Sequence, residues 1–462
     1  MTDITDSYKL FHDGILALAK VESAGLHINI DYVQAKKKEI TKEITKLEHK
    51  FIKSDFYLDW EKSVKSKINI YSPVQLSNFL YKVKKLKIDK QTTSEQQGST
   101  DEEALLQLNI PELNILLQIK KLKKIRDTYL DSFERETING IMHPFYNLHL
   151  VRSYRGSSSN PNFQNIPKRD EEAMNICRSA IYPSPGHQLV ELDFKQLEVR
   201  IAACFCEDQR LIDDILKGDM HRDMAIEIFQ LKDFDKKDPS HAILRQAAKN
   251  GFVFPQFYGD YYKNCAINIA FKWCKLSKTK NWKKGEGIVF EDKHISDHLI
   301  SKGFKNLESF TEHIQDIEYN FWHKRYKKYY EWREHIWQQY QNIGYVETMT
   351  GFTFNGLMKK NDVMNYPIQG SAFHCLLWSL IQGIKAQQRE HWQSKIVGQI
   401  HDSIVLDVTP KELKHVIAVM RCIMCHDLQV NWPWIIVPLD IDVEASPVDH
   451  SWAEKQPLHL LK

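Results

Sequence analysis

The 462-residue chain has little of what marks several large protein classes. Eight cysteines are too few for a disulfide framework. No uninterrupted apolar run approaches the ~18 residues of a membrane span. The first nine residues hold two aspartates and no apolar core, so neither a signal nor a transit peptide is expected, and the location expected is cytoplasmic. Gly-rich phosphate loops of the Walker type are missing, which argues against a fused helicase. There is no internal repeat and no low-complexity tract. Charge of one sign is also lacking. With 63 Lys and Arg against 60 Asp and Glu, the net charge is +3, so overall charge does not single out nucleic acid as a partner.

What the chain does have is 42% hydrophobic residues and a length that suits about three packing units. The cations are unevenly placed. Residues 33–90 hold 15 Lys against 7 acidic residues, and Lys120, Lys121, Lys123, Lys124 and Arg126 follow in a helical pattern. Such a run is either a solvated helix face or a phosphate-tracking surface. The arginines number only 14, and Arg152, Arg155, Arg178, Arg200, Arg222 and Arg245 fall between positions 152 and 245. A guanidinium offers a planar fork to phosphates and base edges, so this concentration suggests a site.

Periodicity predicts helices over 7–24, 33–54, 75–86, 101–108 and 112–133. Helices also dominate 196–250, 308–342 and 368–388. Strands are expected at 187–194, 395–401, 403–408 and 437–444. The pattern is α+β: a small, mostly antiparallel sheet with large helical additions before and between its strands.

Three segments carry chemistry. In the strand ending at Phe194, side chains alternate between faces, and Asp193 sits at the strand end just before a helix. In isolation it reads as an ordinary capping residue. Two short apolar strands flank His401-Asp402-Ser403, which puts Asp402 at a hairpin tip. Paired, the two acids can converge on one sheet edge and share two Mg²⁺ ions, the arrangement for in-line phosphoryl transfer. Third, Arg245 and Lys249 are four apart on one helix face that could hold a triphosphate, and Phe252, Phe254, Phe257 and Tyr258 follow as a platform for a base.

These blocks resemble the motifs of family A DNA polymerases, the DNA polymerase I superfamily. The family's D-Y-S-Q-I-E-L-R is similar to Asp193-Phe-Lys-Gln-Leu-Glu-Val-Arg200, and its H-D-E to His401-Asp402-Ser403. Its loop T-G-R-L-S-S-S-x-P-N-L-Q-N-I-P resembles Ser153-Tyr-Arg-Gly-Ser-Ser-Ser-Asn-Pro-Asn-Phe-Gln-Asn-Ile-Pro167. Its N-x-P-I-Q-G-T-A block resembles Asn365-Tyr-Pro-Ile-Gln-Gly-Ser-Ala372. Weaker likenesses extend in collinear order over nearly the whole chain, and a phage-type member is one candidate.

The resemblance implies a right-hand fold with an antiparallel-sheet palm and mainly helical thumb and fingers. The palm would start at 1–30, the thumb occupy 31–132, and the palm resume at 133–205. The fingers would span 206–374, with an insertion near 263–310, and the palm would close the chain at 375–462. It implies a template-directed DNA polymerase that adds dNTPs to a primer 3′-hydroxyl, with Mg²⁺ as cofactor and Mn²⁺ as an alternative. Asp193 and Asp402 would hold the metals. Lys249 would grip phosphate and give a proton to the leaving pyrophosphate. Arg245, His221, Gln196, Phe254 and Tyr258 would bind the dNTP, and Glu198 would exclude a 2′-hydroxyl. Arg155, Asn162, Gln164, Asn165, Asn365, Gln369 and His401 would contact primer–template DNA.

No exonuclease is expected before the thumb, so proofreading or processivity would come from a separate partner. The rivals are a single-subunit RNA polymerase, against which Glu198 argues, and a non-catalytic DNA-binding replication protein.

The chain departs from the family in five places, one of them Tyr154-Arg155-Gly156 where the family has G-R-L. Between Lys249 and Tyr258 there is one residue too many, and Pro255 stands where the family has Gly. A π-bulge or kink near Gly251 that presents Phe254 is the expected remedy. Ser403 replaces an acidic residue. Thr350-Gly-Phe-Thr-Phe354 lacks the family's arginines. About 60 residues separate Gly259 from Phe321, roughly double the expected number, and the excess carries Lys272, Lys275, Lys278, Lys280, Lys283 and Lys284 with Trp273 and Trp282. This excess is either solvated or a contact for template or displaced strand. The Cys422-Ile-Met-Cys425-His426 run has the spacing of a c-type haem attachment but lies in an amphipathic helix, and haem is not expected. Cys204 and Cys206 lack nearby partners for zinc and should be buried thiols.

Overall fold

The computed structural model describes residues 4–64, 67–86, 98–168 and 170–458. Its centre is a five-stranded antiparallel sheet, ordered Lys395–Ile400, Ser403–Val408, Gln188–Phe194, Ile441–Ala445 and Gln456–Pro457. The middle strand, QLVELDF, is buried along nearly its whole length, on both faces. Such a strand must neutralise any polar group it carries. Glu191 accepts from Trp452 Nε1 at 3.1 Å and is ion-paired with Lys455. The Lys395–Ile400 and Ser403–Val408 strands form a hairpin whose turn is His401-Asp402, with His401 at φ +50°. Two residues in a tight turn put Asp402 at the tip, as its position between two apolar runs predicts. The last long strand is Ile441–Ala445; the segment before it, with Pro438, is not strand, so the expected start at 437 comes too early.

The thirty-residue helix Lys360–Arg389 is the main support of the sheet's surroundings. It packs on the N-terminal helix Ile4–Ala24 and on Leu197–Cys206. Pro367 lies inside it and removes one backbone donor. Ser371 Oγ donates to the Pro367 carbonyl at 2.7 Å and accepts from Met349 N at 2.9 Å, tying the helix to the preceding loop.

A smaller four-stranded sheet joins Leu26–Ile28 to Thr137–Ile138, Ile141–Met142 and Ile181–Tyr182. Between its first two sequence segments lies a helical region in which Ile30–Ile52 packs on Pro111–Lys124. Asn29 caps the first of these, accepting from Tyr32 N. Much of the cationic pattern at 120–126 is already engaged. Lys121 pairs with Asp170 and Glu172, Lys123 lies 3.7 Å over the Tyr71 ring, and Arg126 pairs with Asp127. Part of the lysine-rich 33–90 segment lies outside the described residues.

The segment Pro239–Phe257 bears out the expected break. An α-helix to Ala248 passes into a π-turn at Lys249–Val253, and α-helix resumes at Phe254. The Phe254 N–H bonds to the Lys249 carbonyl, five residues back. That extra residue per turn moves Pro255 away from the carbonyl it would otherwise strike. Gly251 is required by packing: a Cβ there would meet Ile269 Cγ1 at 2.6 Å.

The stretch after this helix holds a short hairpin, Val289–Phe290 with Lys293–His294, and the helix Ile295–Ser301. Its lysines are exposed, but Trp282 is buried against Phe310 and Trp273 is half-buried. The expected aromatic contribution to strand binding is therefore absent at Trp282, whose ring is spent on the core. Among the described residues no helix is long and apolar enough to cross a membrane.

Candidate active site

The sheet register places the two acids. Asp193 pairs across the ladder with Ser403, the residue after Asp402, and Phe194 N donates to the Asp402 carbonyl at 3.1 Å. Burial raises the Asp193 carboxyl above the usual carboxylate range. Burial, then the Asp193 charge, pushes Asp402 up to about 7. Asp193 Oδ1 is buried with no partner. Two half-buried, mutually repelling carboxylates with an orphaned oxygen have the donor chemistry that could hold a divalent cation. Ser403 adds nothing to it, because its Oγ donates to the Ile400 carbonyl at 3.0 Å.

A cavity of about 570 Å³ opens beside this pair. Lys249, Phe254 and Tyr258 line one wall, from the π-turn onward. Gln196 and Glu198 line the base, and Arg155, Asn365, Gln369 and His401 complete the rim. Gln196 takes a left-handed conformation, φ +52°, which turns the chain from the central strand into the Leu197–Cys206 helix. Glu198 is bracketed: Tyr258 Oη donates to its Oε2 at 2.6 Å, and Arg155 lies 3.2 Å from its Oε1. Burial and that neighbouring carboxylate raise the Tyr258 phenol well above its ordinary value. Asn365 Nδ2 donates to the Tyr258 carbonyl at 3.3 Å and Asn361 Nδ2 to the Gly259 carbonyl at 3.4 Å. Gly259 has φ +85°, and a Cβ there would collide with Asn361.

Lys249 lies 5.1 Å from the Phe254 ring centroid, and burial with Arg245 nearby lowers its pKa. His221 meets Phe254 edge-on at 5.7 Å. Both of its ring nitrogens are buried without a partner, and burial, then Lys249, pushes its pKa down to about 4. It is a neutral imidazole with unspent hydrogen-bonding capacity.

Several expected residues stand back from the cavity. Arg245 shares Lys249's helix, but its guanidinium is committed to Asp219, with Nε 3.1 and 3.0 Å from the two carboxylate oxygens. The expected two-cation grip is therefore half engaged elsewhere. Gln164 is buried and donates to Gln399 Oε1 at 2.5 Å; Gln399 in turn donates to the His401 carbonyl at 2.8 Å. It braces the hairpin from behind. Asn162 and Asn165 are exposed on the loop beside it. One residue escaped sequence reasoning altogether. Lys168 lines the cavity, and its Nζ donates to Asp193 Oδ2 at 3.3 Å. Its only signal was a cation directly after the Asn-Ile-Pro run. Cys204 is buried and Cys206 half-buried, both unpaired, as inert thiols should be.

The sequence model of DNA polymerase family A matches residues 30–273 and 311–454, leaving 274–310 unmatched. Among curated relatives, DNA polymerase I of Lactococcus lactis subsp. cremoris is 26% identical over 442 residues, 92% of this chain and 43% of that protein. DNA polymerase I of Aquifex aeolicus is 27% identical over 441 residues, 95% of this chain and 66% of that protein. The chain thus spans roughly half to two thirds of the length of these relatives. Among solved structures, the POL domain of Pol1 from M. smegmatis, in complex with DNA primer-template and dNTP, is similar with a TM-score of 0.72 at 22% identity, covering 96% of this chain and 70% of that one. The expected right-hand α+β fold is thereby shown.

Proposed function

The chain belongs to DNA polymerase family A, and on that premise we propose that it is a template-directed DNA polymerase. Its reactants are primer–template DNA and dNTPs, and divalent magnesium is its cofactor. The palm is assigned to 1–30, 133–205 and 375–462, the thumb to 31–132, and the fingers to 206–374.

The observation that carries this reading is the Asp193–Asp402 pair beside a nucleotide-sized cavity. The carboxylates of Asp193 and Asp402 would hold the metals, which when bound supply charge neutralisation at the reacting phosphate and acidify the primer hydroxyl. Phe254 offers a flat face for the incoming base, and Lys249 a cation for its phosphates. The depressed pKa of Lys249 makes it a better proton donor toward departing pyrophosphate than an ordinary lysine. His221, neutral and unpartnered, stands behind Phe254 at 5.7 Å and outside the cavity lining, so it would reach a phosphate only if that ring moved. Glu198, fixed between Tyr258 and Arg155, presents a carboxylate edge that would crowd a ribose hydroxyl. That fixed carboxylate favours deoxynucleotides and so disfavours the RNA polymerase alternative. Arg155, Asn365, Gln369 and His401 on the rim would contact the nascent pair, where acceptors occupy equivalent minor-groove positions for every correct pair.

Primer extension with labelled products tests the reading. The wild type should extend with dNTPs and discriminate against rNTPs, and Asp193→Ala and Asp402→Ala should not extend. Equal activity in the Asp402→Ala variant would end the assignment.

A further inference from the structure

The haem-like run Cys422-Ile-Met-Cys425-His426-Asp427 falls in a π-helical turn, Cys422–Asp427, between the α-helices Leu413–Arg421 and Leu428–Asn431. A turn closed by i→i+5 bonds is wider than an α-turn, so residues i+4 and i+5 straddle the position above residue i. Here residue i is Cys422, and His426 and Asp427 flank its sulfur. Cys425 takes no part: it is half-buried, and burial pushes its thiol up to about 11.

Asp427 Oδ1 is the shared vertex. It lies 3.5 Å from Cys422 Sγ and 3.0 Å from His426 Nδ1. The three donor atoms all lie within 4.8 Å of one another, and among the described residues this is the one group of three His, Cys, Asp or Glu side chains so placed. Tetrahedral zinc, with bonds of about 2.3 Å to sulfur and about 2.0–2.2 Å to nitrogen and oxygen, requires S···O edges of roughly 3.6 Å and N···O edges of roughly 3.4 Å. Two of the three edges in the protein are thus within a few tenths of an ångström of what the ion needs. The third joins two exposed side chains that are free to close it.

We infer that Cys422, His426 and Asp427 form a surface site for a borderline divalent cation, zinc or cobalt, with water in the fourth position. A thiolate, an imidazole and a carboxylate prefer such ions to magnesium or calcium. In the metal-free protein two hydrogens occupy the space, one from the thiol and one from Nδ1. Binding releases the thiol proton to solvent, and the Nδ1 hydrogen of the imidazole is exchanged through water for one on Nε2, so one proton leaves per ion bound. The bound ion staples the turn that follows Arg421, whose guanidinium holds Asp440 at 3.0 Å. The inference does not depend on the polymerase reading.

The test is titration of the full chain with Co²⁺ in saturating Mg²⁺, which fills the cavity carboxylates and leaves a thiolate site open. A thiolate-to-cobalt charge-transfer band should grow and saturate at one ion per chain, and Zn²⁺ should displace it. Cys422→Ser should abolish the band. His426→Ala and Asp427→Ala should each weaken binding by about tenfold or more, and Cys425→Ser should leave it unchanged. Zn²⁺ should also raise the melting temperature of the wild type and not of Cys422→Ser. No band in the wild type, a band that survives in Cys422→Ser, or a band lost in Cys425→Ser would each overturn the site.

Discussion

Lys168 Nζ sits 3.3 Å from Asp193 Oδ2, so a side-chain ammonium stands beside one of the two carboxylates that a metal would need. The side chain is 60% exposed, so the pair is worth at most about 1 kcal/mol, or roughly fivefold in an equilibrium. Lys168→Met should therefore tighten Mg²⁺ binding to the DNA-free protein by up to about fivefold, measured by calorimetry. Unchanged affinity would show that the ammonium does not compete at the site.

Asp402 makes metal-free stability pH-dependent with a definite sign. Its folded pKa, about 7, lies above its ordinary value of 3.8, so ionisation opposes folding. The protein should lose stability as pH rises from about 4 through about 7. In EDTA, Asp402→Asn should melt above the wild type at pH 8, by an amount on the order of a few kcal/mol, and the gap should close below pH ~4. Parallel melting curves at both pH values would contradict this.

Glu198 is held by two partners, and each can be removed separately. Glu198→Ala should weaken discrimination against rNTPs by about tenfold or more. Tyr258→Phe removes only the 2.6 Å bond that fixes the carboxylate and should have a smaller effect in the same direction. Single-turnover incorporation of matched dNTP and rNTP measures both. Full discrimination in Glu198→Ala would move the sugar check to another residue.

The π-turn depends on close packing at Gly251. Gly251→Val pushes a branched side chain into Ile269 and should cost about 1–3 kcal/mol, read as a lower melting temperature. Dislocation of the π-turn would also raise the KM for dNTP, because Lys249 and Phe254 lie within it and just after it.

Much of the candidate site was legible because short-range rules govern it. Strand alternation and a two-residue turn are local, so Asp193 and Asp402 could be placed from their neighbours. The extra residue before Tyr258 was countable, and Pro255 demanded a break that the π-turn supplies. What escaped was set by partners far along the chain. Arg245 follows Asp219, 26 residues earlier, instead of facing the cavity with Lys249. Gln164 is drawn inward by Gln399, 235 residues away. Trp282 belongs to a core closed by Phe310, which no periodicity within 272–286 announces. Lys168 acquired its neighbour only when the loop after Pro167 folded over the strand end.

Two side-chain amides of the long helix Lys360–Arg389, those of Asn361 and Asn365, hold the turn that closes the aromatic wall of the cavity, by its Gly259 and Tyr258 carbonyls. Each contributes about 1 kcal/mol net, and water can replace either. The floor is anchored differently, by Glu191 sunk in the sheet and tied to Lys455 and the Trp452 indole. The vestibule therefore has one loose jamb and one fixed sill. Once the Tyr258–Glu198 bond opens, thermal motion should swing the aromatic wall outward before it disturbs the acids beneath.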